Sequence, residues 1–187
     1  MTIHQRLAEL QHQVAQLMRG DVAVAARADG ANVVTANATP VDRAIRLILS
    51  ELRREVPYDS CSVQELREQR LVIIAGVGFV DLDVVLGESF SIDNVDIPNG
   101  EVVYRRRPLI VADTEQYRAF RRGLHVGEAI RSWIGVPLIH GEQLVGVMTL
   151  DKSEVDFYTA IHAQTALAFA ALVAFAMAGF EAGEAYA

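Results

Sequence analysis

The chain has 187 residues, a formal net charge of −7 and 51% hydrophobic residues against only 7% aromatic ones, which suits a single domain with an extra helix and a core built from Ala, Val, Ile and Leu. The acidic balance excludes wholesale nucleic-acid binding, which needs a basic face to displace counterions from phosphates. Cys61 is the only cysteine, so no internal disulfide and no multi-cysteine metal site can form, and a reducing, cytoplasmic setting is expected.

The opening MTIHQRLAELQHQ is polar and lacks the apolar stretch of a secretory signal. Within it, Ile3, Leu7, Leu10, Val14 and Leu17 recur at alternating spacings of four and three, the seam of a short coiled coil. So short a coil is marginal alone in water, and the seam is expected to pair with its own copy or to lie on the domain. From Gly20 to Thr39 the composition turns to Ala, Asp, Asn and Gly, which predicts a linker or a frayed helix. Residues 1–38 are thus expected to be helix and linker, 39–181 the domain proper and 182–187 a tail.

Thr39, Pro40 and Asp42 predict a helix start: a hydroxyl cap, proline at the first helical position and a carboxylate near the exposed amides. Ile45, Ile48, Leu49 and Leu52 give that helix one apolar stripe, and Pro57 ends it. Strand-like runs at Ser60 to Leu66 and Leu71 to Val77, separated by Arg67 to Arg70, predict a hairpin. The middle of the chain predicts a short strand near Phe90, a helix from about Asn99 to Arg106, a strand from Leu109 to Ala112 and a helical turn around Tyr117 to Arg122. A second hairpin joins Trp133 to Ile139 with Leu144 to Leu150 through His140 to Gln143, glycine supplying the turn. Such short connections force antiparallel pairing.

Ile134, Val136 and Leu138 alternate with Trp133, Gly135, Pro137 and Ile139, so this hairpin is apolar on both faces and must be covered on both. The helices before Pro57 and after Glu154 supply one cover, and the segment from Phe90 to Arg131 the other. The last helix contains Ala163 to Phe180, an Ala-rich run of about minimal spanning length that begins with Gln164 and Thr165. It is expected to be buried in the domain and not in a membrane.

Three stretches resemble the GAF domain family: GESFSIDN (Gly87 to Asn94), NGEVVYRRRPLIVAD (Asn99 to Asp113) and, most specifically, IRSWIGVPLIHGEQLVGVMTLDK (Ile130 to Lys152). PAS-type sensors share the architecture without the wording of that last hairpin. The resemblance implies an α+β domain layered α/β/α. A central antiparallel sheet of five to six strands carries the terminal helices on one face. Short helices and loops roof a ligand pocket on the other, and the terminal helices pair across a homodimer. It also implies a regulatory role in signal transduction. With no kinase, cyclase or phosphodiesterase motif alongside, the output is expected from a separate protein, the chain being a stand-alone regulator or a sensor fragment.

Cyclic-nucleotide-binding members carry an Asn-Lys, Phe, Asp-Glu motif; this chain has Asp151, Lys152 and Phe157, but Ile161 and His162 where the acidic pair would stand. Asp151 and Lys152 then read as a solvated strand end. Bilin-binding members attach pigment to a roof cysteine where this chain has Tyr117 and Arg118, and methionine sulfoxide reduction uses several cysteines because one thiol must resolve the other. Cys61 alternates with Val63 and reads as a small core hydrophobe. No nucleophile and base stand at a recognisable spacing, so no catalytic residue, cofactor or metal is assigned. His125 lies between Gly123 and Gly127, where a haem or metal ligand could stand, but a single histidine without partners is more often a loop residue.

Between Arg105 and Arg131 there are seven arginines against three acids. Some complement helix C-termini; if one or two point inward, they would hold an anionic ligand through paired guanidinium contacts. The expected ligand-binding residues are Phe90, Tyr117, Phe120, Arg121, Arg131 and Trp133. The alternative is a dimerisation module whose pocket has collapsed onto Phe90, Tyr117, Phe120 and Trp133.

Overall fold

The computed structural model describes residues 2–20, 39–93, 97–120 and 129–184. Helix α1 (Ile3–Met18) and helix α2 (Pro40–Glu55) both start with a complete capping box, the second built from Thr39 and Asp42 with Pro40 in the first turn. The Thr39 hydroxyl accepts from the Asp42 N–H at 3.1 Å and the Asp42 carboxylate accepts from the Thr39 N–H at 2.9 Å, satisfying two amides that the helix itself cannot.

The hairpin β1 (Ser60–Arg67) and β2 (Arg70–Val77) follows, then α3 (Leu82–Val85), β3 (Ser89–Ser91), α4 (Pro98–Arg105), β4 (Leu109–Val111), β5 (Ser132–His140), β6 (Gln143–Lys152) and α5 (Ala160–Glu184). The strands form one six-stranded sheet in the order β3-β2-β1-β6-β5-β4, and every pairing is antiparallel. Both hairpins are tighter than their sequence limits predict. Arg67 and Arg70 are paired across a two-residue turn at Glu68, which takes φ 53°, and His140 pairs with Gln143 across Gly141, φ 60°. The segment around Tyr117 forms successive turns, Gln116 N–H to the Asp113 carbonyl and Phe120 N–H to the Tyr117 carbonyl; Arg121 and Arg122 lie outside the described residues.

Strand alternation divides the core into two unlike halves. On one face Cys61, Val63, Ile134, Val136, Leu138, Met148 and Leu150 pack under α2 and α5. On the other, Leu71, Val111, Trp133 and Val147 meet Val102 of α4 and Ile130. The α1 seam lies on the domain: Leu10, Val14 and Leu17 are buried in the same cluster as α2 and α5. Helix α5 is long and apolar enough to cross a membrane, but half of that stretch is buried inside the fold, and the helix continues past residue 181 to Glu184.

Candidate functional site

The site grows out of the strand register. One row across the sheet runs Gly76 (β2), Ser62 (β1), Thr149 (β6), Gly135 (β5), each directly opposite the next. Opposed residues point to the same face, here the face away from α2 and α5. A Cβ on Gly135 would come within 2.2 Å of the Trp133 indole, and one on Gly76 within 2.6 Å of the Phe79 ring. Two aromatic rings therefore lie folded over two glycines, with a pair of hydroxyls between them.

Above that row is a cavity of about 120 Å³. Its floor is Ser62, Gln64, Thr149 and Asp151; its walls include Phe79, Phe90, Phe120 and Trp133; Ile97, Pro98 and Asn99 close it from α4. Phe120 meets Trp133 edge-on, centroids 6.3 Å apart, which fixes the indole at the wall.

The floor is a connected polar line. The Asn99 amide donates to Gln64 Oε1 at 2.8 Å, Gln64 Nε2 donates to the Ser62 Oγ at 2.9 Å, and Ser62 shares a 2.8 Å bond with the Thr149 hydroxyl. Since Ser62 accepts from Gln64, its own proton is best placed on Thr149, which leaves the threonine O–H to donate onward. One row along, the Ser60 hydroxyl donates to Asp151 at 2.5 Å.

Asp151 corrects the sequence reading of a solvated strand end. It is only 6% exposed. Burial pushes its carboxyl up to about 7, against the Ser60 hydrogen bond and with a further push from the Asp59 charge. Lys152 does not relieve it. Pointing to the other side of the strand, Lys152 Nζ donates to Asp59 at 2.6 Å and lies over the Phe157 ring at 5.2 Å. Burial tends to raise Asp59 as well, but hydrogen bonds from Lys152 and Ser153 outweigh it and hold that carboxyl low.

Of the expected ligand-binding residues, Phe90, Phe120 and Trp133 line the cavity. Tyr117 does not: it packs beside the roof-side core and its hydroxyl donates to Glu101 at 2.9 Å. Arg131 is turned to Asp113 at 3.4 Å and Glu115 at 3.5 Å. The Glu115 amide first, then Gln116 and Arg131, hold the Asp113 carboxyl below its usual range. Arg121 and His125 lie outside the described residues. Arg105 pairs with Glu101 at 3.1 Å and Arg106 donates to the Glu142 carbonyl, so no arginine among the described residues lines the cavity. Ser60, Ser62, Gln64, Thr149 and Asp151 were missed by sequence reasoning, although Ser-x-Ser-x-Gln and Thr-x-Asp are themselves period-two polar patterns. Cys61, the residue between Ser60 and Ser62, faces the opposite side, where burial and then the Asp151 charge push its thiol up.

A curled antiparallel sheet with a helical layer on one face and a roofed cavity on the other defines an α+β sensor-type domain. The model of the GAF domain family matches residues 38–178, and the chain belongs to that family. Among solved structures, the GAF domain of a phosphoenolpyruvate-protein phosphotransferase from Coxiella burnetii is 18% identical, with TM-score 0.71 over 98% of this chain and 99% of that one. Its counterpart from Acinetobacter is 16% identical, with TM-score 0.68 over 97% of each chain. A type II free methionine-R-sulfoxide reductase from Thermoplasma acidophilum is 16% identical, with TM-score 0.61 over 73% of this chain and 91% of that one. At these identities the likeness is one of fold. No curated protein matches the sequence.

Proposed function

We propose that this GAF domain is a non-catalytic, cytoplasmic sensor: a small molecule occupies the roofed cavity, and occupancy is passed through the terminal helices to a second copy and a separate output protein. The observation that carries this reading is the cavity itself, a polar floor between aromatic walls, the composition that orients a small ligand by a few hydrogen bonds while burying its body. Signalling requires that the ligand prefer one arrangement of the helices over another. The sheet connects the two, since β1 and β6 carry the cavity floor on one face and the α2 and α5 packing residues on the other.

The reductases among the neighbours are enzymes by name. Here the single thiol faces the helical core, not the cavity, and is kept protonated by burial, which favours the non-catalytic reading. Dimerisation has support on α5, where Ile161, Gln164, Ala171 and Phe175 are exposed at spacings that put them on one outward face. The cavity's small volume favours the alternative, a ligand-free dimerisation module.

Native mass spectrometry of freshly purified protein separates the two. A dimer carrying extra low-molecular-mass species, released on denaturation, supports the sensor; a bare dimer supports the module. A monomer at micromolar concentration contradicts the dimer in both.

A further inference from the structure

The charge of the cavity lining points to a ligand class. Asp151 is more than nine-tenths buried, lines the cavity, and receives the Ser60 hydroxyl. A carboxylate has about four acceptor sites, so Ser60 leaves most of its capacity open to a donor in the cavity. No Lys, Arg or His is among the described lining residues, and Lys152, the nearest cation in sequence, is held by Asp59. The walls are aromatic rings, whose π-faces attract cations and repel anions. Among the described lining residues, a free carboxylate or phosphate would meet the Asp151 carboxyl and no cationic side chain.

We propose that the cavity selects a small, flat organic monocation, such as an amidinium or protonated amine. Asp151 holds its charged end and Phe79 and Trp133 flank its body. The inference rests on the sensor reading and narrows its ligand. It runs against the anionic ligand that the arginine-rich segment suggests, because no described arginine of that segment lines the cavity, and Arg105, Arg106 and Arg131 are engaged by Glu101, the Glu142 carbonyl, Asp113 and Glu115.

Three probes of one shape and different charge make the test: benzamidine (cationic), benzamide (neutral) and benzoate (anionic), each titrated into the full chain at pH 8 by calorimetry. Benzamidine is expected to bind at least about tenfold more tightly than benzamide, and benzoate least. Asp151→Asn should erase the difference between benzamidine and benzamide. Equal affinity for all three, preference for benzoate, no binding of benzamidine, or retention of its advantage in Asp151→Asn would each overturn the proposal. The ranking in the unsubstituted protein stands as a test even if the variant folds poorly. Preference for benzoate would overturn only the ligand class, whereas the sensor reading itself fails on a bare dimer in the mass-spectrometric experiment.

Discussion

Asp151→Asn should make the ligand-free protein more stable, and only at the upper end of the pH range. Asp151 titrates near 7 in the fold against 3.8 for an ordinary carboxyl, so between those values the folded chain holds a proton that the unfolded chain has lost. Stability falls with rising pH wherever the native state binds more protons. The group's contribution is therefore fully present below about pH 3.8 and gone above about pH 7. At about 1.4 kcal/mol per unit, the full shift corresponds to about 4 kcal/mol. Asparagine keeps an acceptor for Ser60 and cannot ionise. Its advantage over Asp151 is expected to grow by about 2–3 kcal/mol between pH 4.5 and pH 8, the lower figure allowing for water in the cavity. Urea unfolding of both proteins at pH 4.5, 6, 7 and 8 measures this as a double difference, so titration of the other carboxyls cancels. A variant no more stable at pH 8, or one whose advantage does not vary with pH, would refute the burial argument.

Gly135→Ala forces the buried Trp133 indole off its seat; a loss of about 1–3 kcal/mol in chemical denaturation is expected, with a change in tryptophan emission, and a silent substitution would contradict the packing. Tyr158 is 3% exposed and its hydroxyl has no partner among the described residues, so Tyr158→Phe should gain about 1 kcal/mol, read as a rise in Tm of about 2–4 °C; a fall would mean that the hydroxyl is bonded. Val14→Asp places a charge in the buried contact of α1 with α2 and α5 and should cost more than about 3 kcal/mol. An unchanged Tm would mean that α1 does not lie on the domain in solution. Phe175→Asp on the outward face of α5 should shift the proposed dimer to monomer in sedimentation, and an unaltered dimer would move the interface elsewhere.

Legibility in the sequence followed the strength of local chemistry. Thr39, Pro40 and Asp42 marked a helix start because capping is decided within four residues. The second hairpin was readable because its strands are apolar on both faces and Gly141 sits between them. The α1 seam was readable as a stripe but not as to its partner, since spacing alone does not distinguish a second copy from α2 and α5. The arginines between 105 and 131 suggested an anion site because composition cannot tell a guanidinium that faces the cavity from one paired with a neighbouring carboxylate, as Arg131 is with Asp113. Asp151 was misjudged for a related reason. It stands beside Lys152 and shortly before Glu154, so its stretch looks solvated, and only strand alternation turns it inward while Lys152 turns away. The polar floor was visible as alternation in Ser60, Ser62 and Gln64, but its partner row on β6 lies about ninety residues away, and pairing at that distance is set by topology.

Trp133 is the only tryptophan in the chain and lines the cavity, so its emission reports directly on whether that space receives a ligand. The most direct measurement is a titration of the protein with the low-molecular-mass fraction of a cell extract, with Ser62→Leu, which fills the floor, as the control. A saturable change in emission that Ser62→Leu abolishes is the predicted result. An emission spectrum indifferent to every fraction, or an equal response in the filled variant, would contradict a ligand-binding cavity between this sheet and its roof.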